Sequence, residues 1–226
     1  MVIIQILFGD IWKNKIMENI KNYFSKSRVE TFSDGVFAII VTLLVLEIKV
    51  PHIDLHDNSS DLLKALIGLL PKFISWIISF FTVCVIWVNH HRLFKIFYIF
   101  NHGLFWWNAI LLMWCSFIPF PTAVLGDYPD NQMAVLLYGI VMMFMALTFS
   151  LMRIYAANRK SLLSSEIDIS KFKKGTIFSI IFGPVLYLAG AIGSFIHPYL
   201  SFAIYLGIAI YFIFPHSTED IELKSE

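Results

Sequence analysis

The residues in this chain that could do chemistry are few, and they stand at the ends of apolar runs. Arg28, Glu30, Ser33 and Asp34 crowd the start of a stretch, Gly35 to Leu46, that is apolar apart from Thr42, and Glu47 and Lys49 close it. A carboxylate near the boundary of a hydrocarbon layer is costly unless a cation or several donors meet it, so it marks a partner or a pathway. Arg28 precedes Asp34 by six positions, about 240° around a helix of 3.6 residues per turn. The two cannot easily pair on one face, and each needs a partner from another helix. A second polar group, Asn89-His90-His91-Arg92, closes a later apolar run. Adjacent histidines on a helix point about 100° apart, so they do not act together as i, i+4 metal ligands do. One of the two can face inward, toward Asp34.

Other chemistry finds little support. His52, Asp54, His56 and Asp57 lie in a polar run, His52 to Asp61, that reads as a solvated loop without a complete ligand set. There is no serine nucleophile elbow, no HExxH, no Gly-rich phosphate loop and no DxD-type pair inside an apolar span. An enzyme has no residues to stand on, and neither a metal nor a cofactor is expected. Cys84 and Cys115 fall in apolar runs and read as packed thiols.

The elements that must position these groups are membrane helices. Of 226 residues, 58% are hydrophobic and 15% charged, too apolar for a soluble domain of this size. The net charge of +1 gives no nucleic-acid reading. The first span follows Ser27. Ser27 with Glu30 fits a capping box, which puts Asp34 about two turns inside the helix, while the rival reading makes Asp34 itself the N-cap. A short helix over Leu62 to Leu70 leads, through Pro71, to a second span from about Phe73 to Asn89. The third runs from about Leu104 to Thr122, where Pro119 and Pro121 are predicted to end it before a turn at Gly126 to Asn131. The fourth covers Met133 to Met152. The fifth, Thr176 to Ile196, carries a predicted kink at Gly183-Pro184, and the sixth is Tyr199 to Phe214. The tryptophans of these spans read mainly as interfacial anchors and packing.

Basic residues orient the spans. Lys13, Lys15, Lys21, Lys26 and Arg28 precede the first, Arg92 and Lys95 follow the second, and Arg153, Arg159, Lys160, Lys171, Lys173 and Lys174 lie between the fourth and fifth. The other side has Lys49, Lys64 and Lys72. The bias places both termini in the cytoplasm of a multi-pass protein of the cell membrane. Residues 1–26 are expected to form an amphipathic or extra segment, with translation from Met17 as the alternative. Residues 27–214 form the membrane domain and 215–226 a disordered tail.

Ile39, Leu43 and Leu46 recur at i, i+4, i+7 with Thr42 beside them. Such a stripe is an apolar face against lipid or other helices, or, if copies of the helix surround an axis, a hydrophobic constriction. Periodicity leaves both open. The run Arg28-x-x-x-Phe32-Ser33-Asp34, continuing GVFAIIVTLLVLEIKVP, resembles the signature of the transmembrane protein 175 family of potassium channels. Trp87 to Phe94 and Ile118 to Leu125 are similar to that family's second and third helices. The resemblance implies an all-α membrane protein with six transmembrane helices per subunit, assembled as a homotetramer whose first helix lines a central pore. It implies a potassium-selective cation channel with potassium ions as permeant, the bilayer and its own copies as partners. The constriction would be Ile39, Leu43 and Leu46, supported by Thr42, with Glu47 at the outer mouth. Arg28, Phe32, Ser33, Asp34, Asn89, His90 and His91 would form a structural network. A secondary transporter, or a non-conducting structural membrane protein, is the alternative.

Overall fold

Apolar runs separated by Asn, Asp and Pro become a bundle of helices in the computed structural model, which describes residues 25–52 and 58–213. The expected segment at 1–26, except its last two residues, half of the polar loop (53–57) and the tail at 215–226 lie outside the described residues. Helix α1 (Lys26–Leu46) starts one residue before the predicted capping box, with Ser25 at the N-cap and no side-chain cap. Asp34 is therefore inside the helix and caps nothing. A short α2 (Ser59–Gly68) is capped by Asn58, whose Oδ1 accepts from the amides of Ser60 and Asp61 at 2.9 and 3.2 Å. Helix α3 (Leu70–Ile96) takes Pro71 in its first turn and runs two turns past the predicted end. His90 and His91 thus sit inside a helix rather than at its frayed tip.

Two further helices, α4 (His102–Phe117) and α5 (Pro119–Asp127), make one apolar run of 26 residues, His102–Asp127. This corrects the predicted stop at Pro119 and Pro121. Ile118, between the two helices, keeps helical angles (φ −54, ψ −39), and both prolines fall in the first turn of α5. There a missing N–H leaves no bond unmade and the fixed φ suits the helix. Helix α6 (Gln132–Ala157), capped by Asn131, is followed by a 3-10 turn (Lys160–Leu162) and by α7 (Ile169–Ile180), capped by Asp168. At Gly183-Pro184 the chain widens into a π turn (Ile181–Val185) before α8 (Leu186–Gly193) and α9 (Pro198–Ile213). A residue without an N–H is accommodated by that local change of register. Five of these runs are long and apolar enough to cross a membrane, and Pro198–Phe212 is a shorter sixth.

Helix α6 forms the hub, packing on α4, α5, α7, α8 and α9. Its approach to α8 and α9 depends on small residues: the ring of Tyr205 lies where a Cβ on Gly139 or on Gly190 would stand. The Tyr205 hydroxyl then donates to the Val135 carbonyl at 3.1 Å. Helix α1 lies to one side, against α3 and α4, through Val29, Ser33, Phe37, Ile40 and Leu44. The basic ends of α1, α3 and α6 gather at one end of the bundle. Lys26 Nζ donates to the Phe97 carbonyl at 2.7 Å, and Phe97 pairs with Leu163 in a short antiparallel bridge. Above the bridge Phe94, Phe97 and Phe100 pack with ring centroids 5.2 to 6.1 Å apart.

Candidate functional site

Helix α1 has two faces of opposite character. On the buried one, Ser33 Oγ donates to the Val29 carbonyl at 2.8 Å and accepts from Asn108 Nδ2 at 2.9 Å. Asn108 Oδ1 in turn meets His90 Nε2 at 2.8 Å. Because the Asn108 amide nitrogen is committed to Ser33, its oxygen is the acceptor, and His90 is held as the Nε2–H tautomer. All three side chains are buried, and His90 Nδ1 has no partner among the described residues. The His90 ring stacks on Phe94 with centroids 4.1 Å apart and meets Phe37 edge-on at 5.4 Å. A polar chain thus joins α1, α4 and α3 inside an apolar shell. Its central member, Asn108, escaped the sequence reading, although an amide in the middle of an apolar span is itself a sign of a polar partner.

One residue on, about 100° around α1, Asp34 accepts from Trp87 Nε1 at 2.9 Å. Its partner is thus an indole, in place of the Asn89 to Arg92 group expected from sequence. Trp87 also stacks on His91, and His91 Nδ1 lies 3.6 Å from the Glu30 carboxylate. The Asp34 and Glu30 contacts tie the first three turns of α1 to the last turns of α3. The substitution Trp87→Phe keeps the stack but removes the donor, so it is expected to lower stability by about 1 kcal/mol, a hydrogen bond to a charged group discounted for exposure. Asp34→Asn, which retains an acceptor, is expected to change it less. Thermal melting of the purified protein in detergent measures both, and equal melting of Trp87→Phe and wild type would contradict the assigned bond.

Three residues expected in this network stand elsewhere. Asn89 lies about 100° around α3 from His90 and lines a cavity on the far side of that helix. Arg28 and Phe32 are exposed, because they fall on the same face as Ile39 rather than that of Ser33. That outer face carries Phe32, Ile39, Leu43 and Leu46, which are 60, 58, 42 and 61% exposed. Thr42 is exposed beside them, its hydroxyl donating to the Ile39 carbonyl of its own helix at 2.8 Å. Glu47 occupies the C-cap of α1, half-buried by a small crevice shared with Lys72, Trp76 and Thr122. Among the described residues no three His, Cys, Asp or Glu side chains gather as a metal site.

Comparison with known proteins gives this arrangement relatives. The family model described as "Endosomal/lysosomal potassium channel TMEM175" matches residues 28–119, which hold both the outer face of α1 and its polar support. A potassium channel of Chamaesiphon minutus is 40% identical over 188 residues, 82% of this chain and 92% of that protein. One from Chryseobacterium is 36% identical over 203 residues, 88% of this chain and 98% of the relative. The crystal structure of a lysosomal potassium-selective channel TMEM175 homolog from Chamaesiphon minutus superposes with a TM-score of 0.74 at 37% identity, covering 83% of this chain and 96% of that one.

Proposed function

Since the chain belongs to the TMEM175 family of potassium channels, we propose that four copies assemble around an axis with α1 lining a central, potassium-permeable pore. The observation that carries this reading is the outer face of α1. Four large apolar side chains, Phe32, Ile39, Leu43 and Leu46, repeat along one face of a helix that buries another stripe, Val29, Ser33, Phe37, Ile40 and Leu44. Around an axis, Ile39, Leu43 and Leu46 make successive hydrophobic rings, with Ile39 the narrowest. Such rings disfavour ions that hold their water tightly, so potassium passes more readily than sodium. No carbonyl filter of the TVGYG kind is present in the sequence. Thr42 supports the constriction, bracing the backbone behind it through its bond to the Ile39 carbonyl. Glu47 raises the local cation concentration at the outer mouth. The polar chain through Ser33, Asn108 and His90 holds the helix at a fixed rotation, so that these side chains face the axis. Residues 27–214 form the channel domain, with both termini cytoplasmic by the bias of basic residues.

Potassium-driven flux from liposomes tests the reading, with sodium measured in parallel. Wild type is expected to carry potassium in preference to sodium. Ile39→Asn is expected to raise flux several-fold and erode the preference, because a polar ring no longer expels water. If neither protein conducts where a control channel does, the pore assignment loses its basis.

A further inference from the structure

Helix α3 also borders a cavity. On the side away from α1, Asn89 and Thr82 line a cavity of about 60 Å³ between α3, α6, the π turn and α9. A single water needs about 10 to 15 Å³ on this measure, so the space takes several waters or one small molecule. Its wall is mostly apolar, with Met145, Phe149 and Ile208 prominent, and among the described residues no charged one lines it. Polar groups interrupt that wall at two levels. Deeper in, the Thr82 hydroxyl is already committed to the Ile78 carbonyl at 2.8 Å. Asn89 and Ser179 lie nearer the end of the bundle where α3 finishes, and an amide and a hydroxyl each both donate and accept. The π turn contributes Gly183 to the lining, so the widened register that accommodates Pro184 also shapes the space.

We propose that this cavity is a binding site, inside each subunit and away from the outer face of α1, for one small uncharged amphiphile of the size of a short-chain alcohol. Its hydroxyl bonds to Asn89 and Ser179 and its hydrocarbon lies among Met145, Phe149 and Ile208. The lack of any charged lining residue selects against fatty acids and amines, since an isolated charge there would be left unpaired. The apolar waist selects against sugars and polyols. Because the occupant touches α3 about 100° around from His90, it sits behind the helix that supports α1. The site depends on the packing within one subunit and not on the pore assignment.

The experiment uses full-length protein in liposomes and an octanol bearing a diazirine on its alkyl chain, with labelled peptides located by mass spectrometry. Label is expected to concentrate on the α6 and α9 peptides that contain Met145, Phe149 and Ile208. Ala209→Leu, which fills the space, is expected to reduce that label by roughly fivefold or more, and Asn89→Leu to weaken competition by unlabelled octanol by a similar factor while leaving competition by octane unchanged. If Ala209→Leu does not fold, Asn89→Leu carries the test. Label spread evenly over lipid-facing side chains such as Ile177, or label and competition that survive both substitutions, would overturn the proposal, leaving the cavity to water.

Discussion

Replacing Asn108 with leucine is expected to lower the stability of the protein by about 2 to 4 kcal/mol, because it orphans the buried His90 Nε2–H and takes from Ser33 Oγ one of its two hydrogen bonds. The side chains are close in size, so the loss comes from hydrogen bonding and not from a void. His90 Nε2–H loses its acceptor, and Ser33 Oγ loses the donor that Asn108 supplied at 2.9 Å. His90 Nδ1 is already without a partner among the described residues, so the imidazole would then have neither nitrogen satisfied. For a chain of this length the fall in melting temperature is on the order of 5 to 10 °C. If α1 lines the pore as proposed, potassium flux is expected to fall with it, since α1 is then free to rotate and the outer faces of the copies no longer meet in register. Melting in detergent, followed by tryptophan fluorescence, measures the first effect. An Asn108→Leu protein that melts with wild type would show that the three side chains are neighbours without being a structural chain.

The second large effect lies at the hub. Gly139→Ala and Gly190→Ala are each expected to destabilise the bundle by about 1 to 3 kcal/mol, as overpacking of a filled core does. They differ in what the new methyl meets. At Gly139 the nearest atom is the Tyr205 hydroxyl oxygen, whereas at Gly190 it is a carbon of the same ring. Tyr205→Phe removes the hydroxyl and leaves the ring, so it is expected to recover part of the loss in Gly139→Ala and none in Gly190→Ala. A double-mutant cycle for each pair separates this coupling from the cost of losing the Tyr205 bond to Val135. Equal coupling in the two cycles would mean that α8 and α9 shift as a body and the contact is not atom-specific.

Much of the fold was legible because hydropathy and the separators between apolar runs act locally. The break at Gly183-Pro184 is such a case, since a missing N–H has a consequence anywhere in the interior of a helix. The stop at Pro119 and Pro121 was misjudged because the same missing N–H is harmless in a first turn, and nothing nearby in sequence says that Ile118 restarts a helix. The site was legible in part. Ser33 and His90 stood out as polar groups at the edges of apolar runs, and the structure puts both in one chain. Asn108 did not, because its place between Ser33 and His90 depends on how three helices come together. Trp87 was read as packing because its ring explains its place well enough, and only the geometry shows that its N–H is aimed at Asp34. Arg28 and Phe32 belong to the outer face of α1, which is a matter of helical phase: positions 28, 32 and 39 share a side that position 33 does not.

The chain through Ser33, Asn108 and His90 also bears on how the protein is made. Ser33 and Asn108 are 75 residues apart, and His90 comes 18 residues before Asn108. At translation rates of about 5 to 20 residues per second, the first helix leaves the ribosome roughly 4 to 15 s before its last polar partner exists. During that interval Ser33 has no interhelical partner, and Asp34 gains its own only when Trp87 follows 53 residues later. The polar chain can therefore close only once the third span has been made, and α1 reaches its final packing when Asn108 arrives.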